Sequence, residues 1–447
     1  MRTGIISLYC RFSFVPLTII VSILVVHTFL RKIYISPPPP NSTLNSSVNK
    51  ADPRPQLAEQ LFSLFEKFDP VPTNNDIATT TEYCFQISSV EISEMKEMQT
   101  SLLDNLSRLP IPLLSGAGIV MMGSKKTLRI ALHSLRMLRR RGTDSLPVEF
   151  WVRDKSESHD YFWQEVWELG VRCHVLTDYI GDRQINGSQL ISFVILFSSF
   201  EQVLFLDAST FPVRSIDDIF EKSNLTSSGV VVWRDPDRPD HYTAPVSLCL
   251  SQITGLSQRS LQTCDTAQIL WNKRTHLTSL ALACYYNYYG PTYFYPVMSQ
   301  SSKQYEKIKQ IFNLACKVTN QAYTVVDTKT FRHGYDDDEG SHGYVIQGDY
   351  RDDPHGLFIH ASPPDMETWS SPNDNFVYDQ LKNERSFRGD EAEGIVGCDL
   401  EKLEVDDLIY VECGSCVAPT QSEDSICGAV LKAGKNSLGM PDSHHGK

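Results

Sequence analysis

The residue most evidently placed to do chemistry is a carboxylate at the end of an apolar run. Gln202-Val203-Leu204-Phe205-Leu206 leads into Asp207-Ala208-Ser209-Thr210, and Phe211-Pro212 then breaks the run. An unbroken apolar stretch predicts a central strand covered on both faces. A carboxylate ending such a strand stands at the sheet edge where ligands bind, unless it only caps the turn that follows. Gly118-Ile119-Val120-Met121-Met122-Gly123 reads as a short buried strand closed by glycine, with Ser124 as N-cap of the next helix. That turn suits a diphosphate or a plain strand-to-helix connection. Asp336-Asp337-Asp338-Glu339, with His333 and His342 nearby, has metal-ligand residue types, but four adjacent acids read first as a solvated turn. Cys413-Gly414-Ser415-Cys416 is half of a zinc pattern or, in an oxidising compartment, disulfide cysteines.

The elements that must position these residues alternate in type. After the first strand, Leu128, Leu132, Leu135 and Leu138 form the inner stripe of a helix whose basic end, Arg139 to Arg141, is solvated and complements the helix dipole. Strands over Pro147–Val152 and Val171–Leu176, helices over Tyr161–Leu169 and Gln189–Phe200, and a strand over Gly229–Trp233 complete the pattern. Such alternation predicts an α/β domain with a mostly parallel sheet flanked by helices. A helix is also predicted to begin at Gln268 and carry Leu270, Leu277, Leu280, Ala281 and Cys284 inward. Upstream, Leu57, Leu61, Leu64, Phe65 and Phe68, and then Met95, Met98, Leu102, Leu106 and Leu109, recur at helical spacing and predict two helices packed on the main domain.

Bulk properties place the chain in a compartment. Its 447 residues, 41% apolar, can bury a sizeable core, and a formal charge of −13 argues against a nucleic-acid partner. Phe12 to Leu30 carries no charge and is bracketed by Arg11 and by Arg31-Lys32; about 19 residues at 1.5 Å each span roughly 28 Å, close to the hydrocarbon thickness. No small-residue cleavage site follows, so a signal anchor is expected. Five glycosylation acceptors, at Asn41, Asn45, Asn105, Asn186 and Asn224, and ten of the 11 cysteines lie beyond the anchor. They favour a lumenal C-terminal portion. The expected organisation is a cytosolic tail (1–11), a transmembrane anchor (12–30), a stem (31–80) with Pro37 to Pro40 as a stiff spacer, a main domain (81–370) and a cysteine-containing tail (371–447).

Several stretches together resemble a known family. Gly118 to Gly123, Leu135-Arg136-Met137-Leu138-Arg139, Leu146-Pro147-Val148-Glu149-Phe150-Trp151, Ser198 to Ala208 and Tyr285-Tyr286-Asn287-Tyr288-Tyr289-Gly290-Pro291 come in the order of the fungal Golgi α-mannosyltransferases of the Mnn type. The resemblance spans roughly residues 115 to 365. It implies a GT-A-like, Rossmann-type glycosyltransferase domain, a GDP-mannose donor, Mn²⁺ or Mg²⁺, and retention of the α configuration. Asp207 would hold the cation, and His360 matches a histidine that completes the metal shell in relatives, with a structural role as its alternative. Asp265 and Gln268 match residues facing the transferred sugar and acceptor. Gly123 and Ser209 fall on the nucleotide side, and Trp271, Asn272 and Lys273 on an acceptor cleft. The chain departs from the family at Ser209, where a second Asp is usual, at Leu190-Ile191, where a lysine is usual, and at Ser301 to Tyr305, where a Gly-Asp-Lys element is usual.

The expectation is a type II Golgi membrane enzyme that moves mannose from GDP-mannose to a mannose-containing glycan on glycoproteins, in α-1,2 or α-1,3 linkage. Its alternatives are a catalytically degenerate relative that binds glycans or supports a Golgi mannosyltransferase complex, and a transferase that uses another sugar nucleotide.

Overall fold

Unalternating apolar runs become the strands of one central sheet. The computed structural model describes residues 52–70, 88–110, 114–140, 143, 145–158, 160–222, 225–236, 243–244, 246–257, 261–298, 304–328, 330–337, 340–351 and 356–361. The expected anchor, the proline spacer, the Ser301–Lys303 stretch and the cysteine tail lie outside them. Among the described residues no helix is long and apolar enough to cross a membrane.

Two helices, α1 (Arg54–Lys67) and α2 (Ser89–Leu106), come first. The sheet and its helices follow as β1 (Ala117–Met122), α3 (Leu128–Arg140), β2 (Val148–Val152), α4 (Asp160–Glu168), β3 (Val171–Val175), α5 (Leu190–Phe197), β4 (Gln202–Asp207), β5 (Thr210–Pro212) and β6 (Val230–Arg234). A short hairpin of β7 (Thr243–Ala244) and β8 (Leu261–Gln262) encloses α6 (Leu248–Thr254). The rest comprises β9 (Cys264–Asn272), α7 (Lys273–Tyr288), α8 (Gln304–Val318), β10 (Thr324–Val326), β11 (Phe331–Asp337), β12 (Gly340–Gly348) and β13 (Gly356–Ala361).

The main sheet has seven strands in the order β10-β6-β9-β4-β1-β2-β3. Every neighbouring pair is parallel except those of β9, which runs against both β4 and β6. The mostly parallel sheet is thus present, with one reversed strand inside it. Successive residues of a strand point to opposite faces, and both faces are covered here. Val203 and Phe205 enter one core cluster and Leu204 and Leu206 the other. On the first face lies α5, whose eight residues are all buried, as expected of a helix apolar on every side.

The helix expected from Gln268 starts at Lys273 instead. Cys264 to Asn272 is a strand held between β4 and β6, and Asn272 Oδ1 accepts from the Arg274 amide at 3.0 Å as the helix N-cap. The tyrosine motif lies on α7 and is core: Tyr285, Tyr286 and Asn287 are each 0% exposed. The Tyr285 and Tyr289 hydroxyls donate to the Phe68 and Phe65 carbonyls, at 2.7 and 3.1 Å, so they satisfy acceptors at the end of α1. The Tyr286 hydroxyl donates to Gln99 Oε1 of α2 at 2.7 Å. With Phe62 stacked on Phe193 at 5.9 Å, α1 is built into the main core although it falls within the segment read as stem.

A second, four-stranded sheet, in the order β11-β12-β13-β5, is antiparallel throughout. Because β5 follows β4 across Ala208-Ser209 alone, the chain passes from the large sheet to the small one directly after Asp207. That crossing positions the site.

Candidate functional site at the carboxyl edge of the sheet

The carboxyl ends of β1, β4 and β6 share an edge with the amino end of the reversed β9. Met122 pairs with Asp207, Leu206 with Gln268, and Trp233 with Asp265. Asp207 is partly exposed, and its Oδ2 accepts from the Ser209 amide at 3.2 Å and the Ser209 hydroxyl at 2.8 Å. The turn-capping role and the edge position are therefore both real. One oxygen closes the turn, and Oδ1 takes no hydrogen bond from the described residues. Ser209 is 1% exposed, so its hydroxyl braces Asp207 and does not stand as a separate ligand.

Asp265 lies one layer deeper, 3% exposed. Its Oδ1 accepts from the Ala267 amide at 3.0 Å, and its Oδ2 from Gln268 Nε2 at 3.0 Å and Gln347 Nε2 at 2.8 Å. His360 Nδ1 stands 4.0 Å from the same Oδ2, and its strand partner is Thr210, three residues past Asp207. Gln268 is fully buried, and its Oε1 has no hydrogen-bond partner among the described residues. Four of the residues named from the sequence thus converge: Asp207 and His360 at the surface of the edge, Asp265 and Gln268 behind them.

Others do not join them as expected. The Gly123 amide donates to the Trp151 carbonyl at 3.0 Å, so it has no N–H to offer a diphosphate. A Cβ on Gly123 would lie 2.6 Å from Phe150 Cζ, which makes this a position of close packing. Ser124 opens a turn and does not cap a helix directly, since α3 begins only at Leu128. The hairpin of β11 and β12 carries the acidic run, with Asp336 opposite Ser341; Asp338 and Glu339 lie outside the described residues.

Trp271, Asn272 and Lys273 sit at the opposite edge, where Asn272 pairs with Gln202 at the start of β4. Trp271 and Lys273 are 0% exposed. Lys273 Nζ donates to the Leu196 carbonyl at 3.3 Å, the Ser198 carbonyl at 2.7 Å and Ser198 Oγ at 2.9 Å. Burial pushes its pKa well down, opposed by Glu149. The Lys273 side chain closes the end of α5, so neither it nor buried Trp271 is free to line an acceptor cleft. Lys273→Met is accordingly expected to cost about 1–3 kcal/mol of stability by leaving buried carbonyls unpaired, read from a denaturation midpoint, and to leave the acceptor KM unchanged.

Among the described residues no group of three His, Cys, Asp or Glu side chains could hold a metal by itself. The edge offers Asp207 Oδ1 and the partly exposed imidazole of His360. The carboxylate oxygen suits Mn²⁺ or Mg²⁺ whose other positions are filled by phosphate oxygens and water, and an imidazole beside it favours Mn²⁺ of the two. The donor set therefore fits a cation that arrives with a nucleotide.

Two features of this edge escaped the sequence reading. Asp235, 2% exposed, follows β6 as Asp207 ends β4, and it pairs with Lys309 Nζ of α8 at 2.7 Å. Its signal was available: a second apolar run, Val230 to Trp233, is followed after Arg234 by an acid. Gln347 had only the faint signal of one amide directly after Tyr344-Val345-Ile346.

The mannosyltransferase family model Mannosyl_trans3 matches residues 116–254 and 253–350, more than half of the 447 residues. The chain is 31% identical over 307 residues to an alpha-1,2-mannosyltransferase, MNN24, of Candida albicans, covering 59% of this chain and 43% of that protein. To the alpha-1,2-mannosyltransferase MNN2 of Saccharomyces cerevisiae it is 27% identical over 319 residues, covering 62% and 53%. The chain thus spans about half the length of these curated relatives. Among solved structures, the S. cerevisiae mannosyltransferase Ktr4p in complex with GDP aligns at TM-score 0.29 and 11% identity, covering 57% of this chain and 82% of that one. At that score the likeness bears on neither fold nor chemistry.

Proposed function

The chain belongs to the Mannosyl_trans3 family of mannosyltransferases, and from that premise we propose that it transfers mannose from GDP-mannose to a mannose-containing glycan on glycoproteins, with retention, on a domain of the GT-A kind. The names of its relatives favour an α-1,2 over an α-1,3 linkage. The observation that carries the reading is the meeting of Asp207 and Asp265, from adjacent strands, with His360 from the second sheet on one edge.

Asp207, through Oδ1, and His360 are the residues that would hold Mn²⁺. When bound, the cation neutralises the charge growing on the departing diphosphate. Asp265 is an acceptor fixed in place by three N–H donors, and it is the residue that would address the sugar and the acceptor hydroxyl. Gln268 Oε1, beside it, is an acceptor with no partner among the described residues, which a hydroxyl would satisfy. The Ser209 hydroxyl keeps the Asp207 carboxylate turned toward the edge. Residues 12–30 would anchor the protein in the Golgi membrane as a type II protein with its main domain in the lumen. That placement draws support from the exposed glycosylation acceptor at Asn186 and from Cys249, which is disulfide-bonded while Cys173, Cys264, Cys284 and Cys316 are free thiols.

The full chain in detergent, given GDP-mannose, Mn²⁺ and an α-mannoside, is expected to release GDP and extend the acceptor by one α-linked mannose. Intact GDP-mannose after prolonged incubation would overturn the reading, and turnover of a UDP-sugar would redirect it to another donor. A second reading rests on Ser209, which the sequence resemblance sets where a second Asp is usual: a non-catalytic relative that binds glycans or supports an active partner. It predicts acceptor binding without GDP release.

A further inference from the structure

Gln347 reaches the edge from the small sheet. On β12 it is 1% exposed, and its Nε2 donates both to Asp265 Oδ2 at 2.8 Å and to the Arg234 carbonyl at 3.1 Å. Its Oε1 accepts from Thr330 Oγ1 at 3.4 Å. The amide thus has an assigned sense: a carboxylate and a carbonyl demand the NH₂ end, and a hydroxyl proton takes the oxygen. In the β12–β13 ladder Val345 pairs with His360 and Gln347 with Phe358. Side chains alternate along a strand, so Gln347 and His360 are diagonal neighbours on one face. Both converge on Asp265 Oδ2, at 2.8 and 4.0 Å. One strand of the small sheet therefore holds a carboxylate of the large one by a hydrogen bond from Gln347, and the next strand brings His360 to within ion-pair distance of the same oxygen.

We infer that Gln347 is a positioning residue: it locks the Asp265 carboxylate to the small sheet and, through that carboxylate, orients the His360 imidazole toward the cation and diphosphate. This rests on the roles proposed above for Asp265 and His360. Carboxylates that orient a metal-binding histidine act this way generally, and loss of such an outer partner costs about 10–100-fold in metal affinity or activity. Gln347→Met keeps the length and apolar volume of the side chain but removes both N–H donors. A merely structural bridge between the sheets would lower the melting temperature without changing the affinity for Mn²⁺.

The test titrates Mn²⁺ into full-length protein with saturating GDP and follows the electron paramagnetic resonance signal of the free ion, alongside kcat and the KM for GDP-mannose. For Gln347→Met the expected result is a Mn²⁺ Kd raised about 10–100-fold, with the rate at a fixed sub-saturating Mn²⁺ concentration falling in step and the GDP-mannose KM little changed at saturating Mn²⁺. Gln347→Asn, which keeps an amide on a shorter stem, serves if the methionine variant does not fold, and it is expected to show the same direction. His360→Ala is measured in parallel. If His360→Ala weakens Mn²⁺ binding while a folded Gln347 variant keeps wild-type Mn²⁺ affinity and kcat, the positioning role is overturned and the site reading stands. If His360→Ala binds Mn²⁺ as the wild type does, the metal role of His360 fails, and this inference fails with it.

Discussion

Asparagine in place of Asp265 is expected to lower kcat by about 10²–10⁴-fold, the span over which a positioned acid–base group contributes. The expectation follows from how the carboxylate is held. It is 3% exposed and accepts from the Ala267 amide, Gln268 Nε2 and Gln347 Nε2. An ionised carboxylate is acceptor-only and suits such a ring of donors. Asparagine must turn its NH₂ either onto two side-chain amides or onto the Ala267 N–H, so charge and orientation are lost together. Stability should fall as well, by about 1–3 kcal/mol for a buried donor left unpaired. Turnover is therefore read well below the variant's melting temperature, where the protein is folded. Wild-type kcat in folded Asp265→Asn would reduce Asp265 to a brace between sheets.

The second large effect belongs to Asp207, where the substitution is cleaner. Oδ2 is engaged by the Ser209 amide and hydroxyl, and Oδ1 has no partner among the described residues. In Asp207→Asn the amide oxygen can take over both Ser209 bonds, so the turn and the melting temperature should survive. What disappears is the charge facing the edge. A fall in kcat/KM of about 10²–10³-fold is expected, the scale for losing one preorganised electrostatic group, together with loss of the response to Mn²⁺. The measurement is initial rate against Mn²⁺ concentration for wild type and variant. A variant that keeps both rate and Mn²⁺ response would separate Asp207 from the cation.

Much of the frame was legible because its signals are local. The β4 strand announced itself by an unbroken apolar run into Asp207, and α1 and α2 by the spacing of their leucines, phenylalanines and methionines. The stretch after Asp265 was misread for an equally local reason. Leu270, Leu277, Leu280 and Ala281 keep helical spacing across a junction, so a strand and a helix looked like one helix. The decisive residue was Asn272, whose side chain caps α7. Lys273 shows a different limit. A lysine beside a tryptophan suggests a polar cleft, and only the long-range contact with Leu196 and Ser198 shows the side chain closing a buried helix end. The tyrosine motif was visible as a family mark, but its work is to hold α1 and α2 in the core. Gln347 and His360 meet Asp265 through pairings between β12, β13 and β5, contacts for which neighbouring sequence carries no signature.

The account stands or falls on whether Asp207 serves a cation that arrives with a nucleoside diphosphate. Calorimetric titration of the full chain with GDP, with and without Mn²⁺, measures this directly. GDP binding that tightens when Mn²⁺ is present, with the tightening abolished in Asp207→Asn, is the predicted result. GDP binding indifferent to Mn²⁺, or a tightening that persists in Asp207→Asn, would contradict it.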